Sequence, residues 1–167
     1  MMIGLIWLCF GSEFQRIEID VVWQESNKSI AAKMHITLSH DGRAMLLCSK
    51  ALSGPLFKCW LTSEKVVVYI EPELKVFVGD DRQAFQLLPH IAPHLAREWI
   101  DLFVADALPE MVVEDENGWR QMRQNKHPVK WRIRKRMSLD HVPEKVFEPR
   151  VSDRAEIADL TSLVWNP

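Results

Sequence analysis

The sequence is poor in the residues from which reactive sites are usually built. Cysteine occurs three times in 167 residues, at Cys9, Cys48 and Cys59, and the spacings match no thiolate metal site. Free cysteine packs as a small hydrophobe. Cys48 and Cys59, placed to face each other across a hairpin, therefore read first as reduced core residues, with a disulfide as the alternative. Glycine is also scarce, with 6 residues, and no glycine-rich phosphate loop is present. Ser53-Gly54 lacks the Gly-x-Ser-x-Gly surroundings of a hydrolase nucleophile. His90 and His94 have the four-residue spacing of zinc ligands, but Pro93 lies between them and no third ligand follows, so they read as solvated helix-end histidines. Glu114, Asp115 and Glu116 are consecutive and diverge in direction, which suits a solvated turn better than a carboxylate pair. No catalytic residue, metal site or cofactor follows from these patterns. A charge bias is missing too: the formal net charge is −2, so attraction to a membrane or an acidic partner has to come from a local patch. No internal repeat is visible.

The first twelve residues, Met1 to Ser12, carry no charge. The apolar part is too short to span a bilayer as a helix. It lacks the basic start and small-residue cleavage site of a secretory signal, and Cys9 follows Trp7-Leu8 where a lipoprotein signal has small residues. A buried turn or strand, a truncated signal and a membrane anchor stay open for this segment.

What is present is a dense run of alternating strands. Ile17, Ile19, Val21 and Trp23 share one face of a strand from Phe14 to Gln24, opposite Glu18, Asp20 and Val22. Ser29 to Ser39 alternates again, with Ile30, Ala32, Met34, Ile36 and Leu38 on one side. His40-Asp41-Gly42-Arg43 is a tight-turn signal. Strands over Ala44–Lys50, Leu56–Leu61, Val66–Ile70 and Leu74–Val78 follow, joined by short polar turns, which gives an antiparallel meander. After Gly79 the pattern changes to helical spacing. Ala84, Phe85, Leu87 and Leu88 predict a short helix. Leu95, Trp99, Leu102 and Phe103 predict a second one from about Pro93 to Ala107, packed against the sheet interior. Strands return at Met111–Val113, Gly118–Gln124, Val129–Leu139 and Glu156–Trp165. The fold class is α+β, mainly β: one domain over 1–167, a curved antiparallel half-barrel with helices plugging its open face.

Seven Trp against a single Tyr is unusual, and Trp supplies large apolar area. Ile19, Val21, Trp23, Met34, Ile36, Trp60, Trp99 and Phe103 are the residues placed to line an apolar interior. Leu56 and Phe57 follow the strand-breaking Gly54-Pro55, so they are candidates for an exposed membrane or partner contact, with folding back into the core as the alternative. Arg120 to Arg136 holds eight cations. On a strand, Arg132, Arg134 and Arg136 fall on one outward face opposite Trp131 and Ile133, giving either a solvated surface or a docking face for an acidic partner or anionic lipid. No aromatic platform shares that basic face, which argues against nucleic acid.

Leu52-Ser53-Gly54-Pro55-Leu56 follows a strand that itself follows an Asp-Gly hairpin. An apolar hairpin over Val66 to Val78 comes next, then a helical insertion carrying Leu95-Ala96-Arg97-Glu98-Trp99-Ile100 and closing on Leu108-Pro109, then Gly118-Trp119 and a last strand ending in Trp165. In this order, from about Phe14 to Trp165, the chain resembles the LolA/LolB superfamily of lipoprotein-localisation proteins, most of all its receptor branch, LolB. The resemblance implies a half-closed barrel whose cavity binds the acyl chains of lipoproteins or lipids. It also implies a place in the bacterial cell envelope, in the periplasm or on the periplasmic face of the outer membrane, and a membrane-contacting loop whose exposed Leu matches Leu56. The chain departs from that branch at Cys9, which has no lipobox, and at Phe57, where the branch tends to have Gly. A different class, an assembly subunit of an envelope complex with a filled core, fits the same pattern.

Overall fold

The alternation of apolar and polar residues from Phe14 to Gly79 becomes part of one sheet. The computed structural model describes residues 14–25, 27–88, 91–123 and 129–164. The strands are β1 (Phe14–Glu25), β2 (Lys28–Ser39), β3 (Ala44–Lys50), β4 (Gly54–Leu61), β5 (Val66–Ile70), β6 (Lys75–Gly79), β7 (Val112–Glu114), β8 (Arg120–Met122), β9 (Lys130–Leu139) and β10 (Glu156–Asp159). They form an open ten-stranded sheet in the order β10-β6-β5-β4-β3-β2-β1-β9-β8-β7. Every pairing is antiparallel except that of β10 with β6, which is parallel. Asp-Gly and Asn-Gly make two of the turns. Gly42 and Gly118 adopt φ of 92° and 76°, where a side chain would be strained. At the second turn the Asp115 carboxylate accepts hydrogen bonds from the amides of Asn117 and Trp119 at 2.9 and 3.0 Å.

The inner face carries the main core, and the interior set read from the sequence lies in it: Ile17, Ile19, Val21, Trp23, Met34, Ile36 and Leu38 are all buried. One α-helix, α1 (Ala96–Val104), covers this face among the described residues, burying Ala96, Trp99, Ile100, Leu102 and Phe103. The outer face has its own smaller core at one end, where Trp60, Val67, Tyr69 and Val76 pack together. Beside it Phe14, Val142 and Phe147 form a third cluster, and Met45 packs against both. β5 is buried at every position because both of its faces are covered, which is why it reads Val-Val-Val-Tyr-Ile without alternation.

Four expectations need correction. The short helix at 84–88 does not form. Phe85 instead bridges His94 in extended backbone, with reciprocal bonds of 3.0 and 3.1 Å, and Phe85, Leu87 and Leu88 are buried from that conformation. The same bridge pulls 93–95 out of the expected second helix. That helix therefore starts at Ala96, where the Glu98 carboxylate reaches back to the Leu95 amide at 2.8 Å. The last strand is only four residues long, since the Asp159 side chain caps the Thr161 amide at 2.9 Å and starts a 3₁₀ turn; Trp165 lies outside the described residues.

Leu56 and Phe57 are the fourth correction. Both are buried in the main core. A β-bulge between Cys48 and Ser49 sets Cys48 opposite Phe57 and Ser49 opposite Pro55, leaving Leu56 as the extra residue. An extra residue lets two consecutive side chains turn to the same face. The exposed large side chain of this loop is Leu52. Phe57→Ala is therefore expected to lower stability to urea by about 3–5 kcal/mol, and Leu56→Glu is expected to lower the melting temperature sharply. A Leu56→Glu variant with unchanged melting temperature places that side chain at the surface.

Candidate functional site

The ground between α1 and the sheet is the place where the structure gathers the aromatic residues singled out in the sequence. Trp99 stacks on Phe103 with ring centres 5.7 Å apart, and Phe103 meets Trp131 edge-on at 5.9 Å. Phe85 closes on Trp99 at 6.4 Å, and the Trp99 indole donates to the Phe85 carbonyl at 3.1 Å. Trp99 and Phe103 are exposed by 1 % and 0 %, so α1 rests directly on the sheet. Trp131 Nε1 is also buried, but has no hydrogen-bond acceptor among the described residues. His94 sets its ring edge-on to Trp99 at 5.4 Å, and its Nδ1 lies 3.5 Å from Glu98; its Nε2 is buried without a partner among the described residues.

Of the eight proposed lining residues, seven share this interior: Ile19, Val21, Trp23, Met34, Ile36, Trp99 and Phe103. Trp60 does not. It alternates with Cys59 and Leu61, which point inward, so its ring lies on the outer face, where its indole donates to the Val146 carbonyl at 3.2 Å.

The arginines are divided between the two faces. Strict alternation after Trp131 and Ile133 would aim Lys135 into the core, and an unpaired ammonium there is too costly. A bulge on β9, opposite the Glu18–Ile19 step of β1, prevents this: Ile19 pairs with Ile133 and Glu18 with Lys135, leaving Arg134 as the extra residue. Lys135 is thereby turned outward, and Arg136, opposite the buried Ile17, is turned to the α1 side. The single outward stripe of Arg132, Arg134 and Arg136 is thus corrected. Arg132 and Arg134 stay outside and share Asp20 at 3.4 and 3.3 Å. Arg136 bonds the Val104 carbonyl and pairs with Asp106 at 3.0 Å. Arg120, which the sequence reading treated only as part of a basic run, is nearly buried. It binds Glu114 at 2.6 Å and the Ala105 carbonyl at 2.7 Å. Two guanidiniums therefore hold the C-terminal carbonyls of α1, where cations are favoured. The available signal for this was three consecutive cations in a strand, a pattern that alternation cannot accommodate.

On the outer face the Arg132 guanidinium lies 4.6 Å over the Trp119 ring, so an aromatic residue does share the basic surface. Cys48 and Cys59 are free thiols in the main core, opposite Phe57 and Leu46 rather than each other; burial pushes each pKa up to about 12. No group of three metal-ligating side chains occurs among the described residues; His90, Cys9 and the segment Met1–Ser12 lie outside them. No helix among the described residues is long and apolar enough to cross a membrane. Compared with protein-family models and with curated proteins, the chain matches none.

Two outcomes follow from this geometry. Arg120→Met leaves the Glu114 carboxylate and the Ala105 carbonyl unpaired, with an expected loss of about 1–3 kcal/mol and faster hydrogen exchange of the α1 amides than of the β2 amides. Cys48 and Cys59 are expected to resist a thiol reagent at neutral pH until the chain unfolds. Because the folded thiols titrate near 12 and unfolded ones near 9, their contribution to stability is full below pH 9 and is lost as pH rises to 12. Rapid labelling of native protein at neutral pH contradicts that burial.

Proposed function

We propose that this protein is a non-enzymatic carrier or receptor for acyl chains of lipids or lipoproteins in a bacterial envelope, and that α1 is the lid of its binding site. The half-barrel wrapped around that lid belongs to the same reading, as does a LolA/LolB-like relationship. The observation that carries it is the indole N–H of Trp131, which has no acceptor among the described residues and is buried in an apolar core beneath one short helix. A buried donor without an acceptor costs about 1–3 kcal/mol. The ester or amide carbonyl at the head of an acyl chain is the acceptor such a site lacks.

The energetics of exchange are balanced. Lifting α1 exposes Trp99, Ile100, Leu102 and Phe103. At about 1.5–3 kcal/mol for each buried side chain the opening costs roughly 6–12 kcal/mol. An acyl chain contributes about 0.8 kcal/mol per buried CH₂, so about fifteen methylenes return roughly 12 kcal/mol. Chains of fewer than about eight methylenes return less than roughly 6 kcal/mol and fall below even the lower cost of opening. Selectivity for long chains therefore follows from the size of the lid rather than from any polar contact.

The near-zero exposure of Trp99 and Phe103 also favours a second reading, in which the interior stays filled and the protein serves as an assembly subunit of an envelope complex. Lipid extraction decides between the two. Mass spectrometry of natively purified protein is expected to find long acyl chains in near-stoichiometric amount. Trp131→Phe, which keeps the ring and removes the N–H, is expected to lower acyl retention without lowering stability. Absence of bound lipid, together with no change in Trp fluorescence on adding a long-chain fatty acid, overturns the carrier reading.

A further inference from the structure

We infer that the outer face of β9, β1 and β2 is a docking surface for anionic membrane lipid. The bulge on β9 is what assembles it. Alternation turns Arg16, Glu18 and Asp20 outward from β1, since Ile17, Ile19 and Val21 are buried. Lys33 faces the same way from β2, paired with Asp20, and Lys130, Arg132, Arg134 and Lys135 do so from β9. That is six cations against two carboxylates, a net charge of +4 on one face of a chain whose total is −2. Asp20 is already engaged by Arg132 and Arg134. Among the described residues no ion pair ties Lys33, Lys130 or Lys135, and Lys33, Arg134 and Lys135 are exposed. A depression of about 380 Å³ lies in the middle of the patch, lined by Glu18, Asp20, Lys33, His35 and Arg134.

The chemistry of the face selects the partner. A protein interface is organised around a buried apolar or aromatic centre with a polar rim. Here the centre is charged, and the one indole or phenyl ring at hand among the described residues, Trp119, lies beneath Arg132 at the margin. Single-stranded nucleic acid needs a succession of free rings on which bases stack, and one occupied Trp does not provide it. Anionic headgroups need only cations spread over an open surface, with long side chains able to follow them, and a Trp at the border suits the interfacial depth. The inference does not rest on the acyl-binding reading: the patch lies on the opposite side of the sheet from α1, and either can fail alone.

The test is sedimentation of the full chain with vesicles of phosphatidylcholine alone and with about one third phosphatidylglycerol, at about 0.05 and about 0.5 M salt. Wild type is expected to bind the anionic vesicles at least about tenfold more tightly than the neutral ones at low salt, and to release at high salt. The triple variant K33Q/K130Q/K135Q is expected to lose about tenfold or more of that binding while keeping its melting temperature. K50Q/K65Q/K145Q, which removes the same charge elsewhere, is expected to keep most of it. Equal binding to both vesicle types overturns the inference, as does a triple variant that binds like wild type. Retention on polyglutamate or on an oligothymidylate while anionic vesicles stay unbound also overturns it, in favour of an acidic protein or a nucleic acid.

Discussion

The stack of Trp99 on Phe103, set edge-on against Trp131, is the contact on which the rest of the inner face depends. A sheet with one face bare of polar side chains does not persist in water. Its apolar surface has to be covered, and among the described residues one nine-residue helix shares that work with Phe85, Leu87, Leu88 and Ile91 and with Leu160 and Leu163. A helix of that length has little stability of its own. It exists because its apolar stripe is buried, and the stripe stays buried because the sheet presents rings that fit it.

The polar ties around that helix follow from the same constraint. Glu98 closes its first turn, the Phe85–His94 bridge fixes the chain entering it, and Arg120 and Arg136 take the carbonyls at its end. Each of these ties sits at an end of α1. On the buried stripe itself the Trp99 indole is tied to the Phe85 carbonyl, which fastens the helix to the segment that precedes it. The other face is organised differently. Trp60 donates to Val146, while Arg43 lies over the Phe147 ring and pairs with Glu144, so the segment after β9 is held over one end of the sheet. The Arg43 guanidinium bonded to it holds the Glu144 carboxyl below its ordinary range, so this tie is complete above the usual carboxylate pKa and weakens in acid.

The two bulges are where local and global demands meet. At each, one extra residue changes which face the following side chains take. At β4 it brings Leu56 and Phe57 together in the core. At β9 it frees Lys135 from the core, sends Arg136 to the helix end and leaves a basic field on the outer face. The field that the inferred membrane docking uses and the grip of Arg136 on the end of α1 come from the same irregularity, which therefore serves both faces of the sheet at once.

Composition and alternation alone determined the class of fold, the meander of strands, the tight turns at Asp41-Gly42 and Asn117-Gly118, and the inward set from Ile17 to Leu38. These depend on period and on local backbone preference, both of which are carried by neighbouring residues. The Trp99–Phe103 stripe was legible for the same reason. Only the tertiary structure decided that 84–88 is extended, that Trp60 belongs to the outer core, that Leu56 and Phe57 are buried, and that Arg136 parts from Arg132 and Arg134. Each of these turns on a partner far away in sequence: His94 across a bridge, Val146 beneath an indole, Cys48 across a bulge, the end of α1 against β9. A strand's period says which residues share a face. It does not say where the strand slips by one residue, because the slip is set by what the opposite strand and the covering helix require.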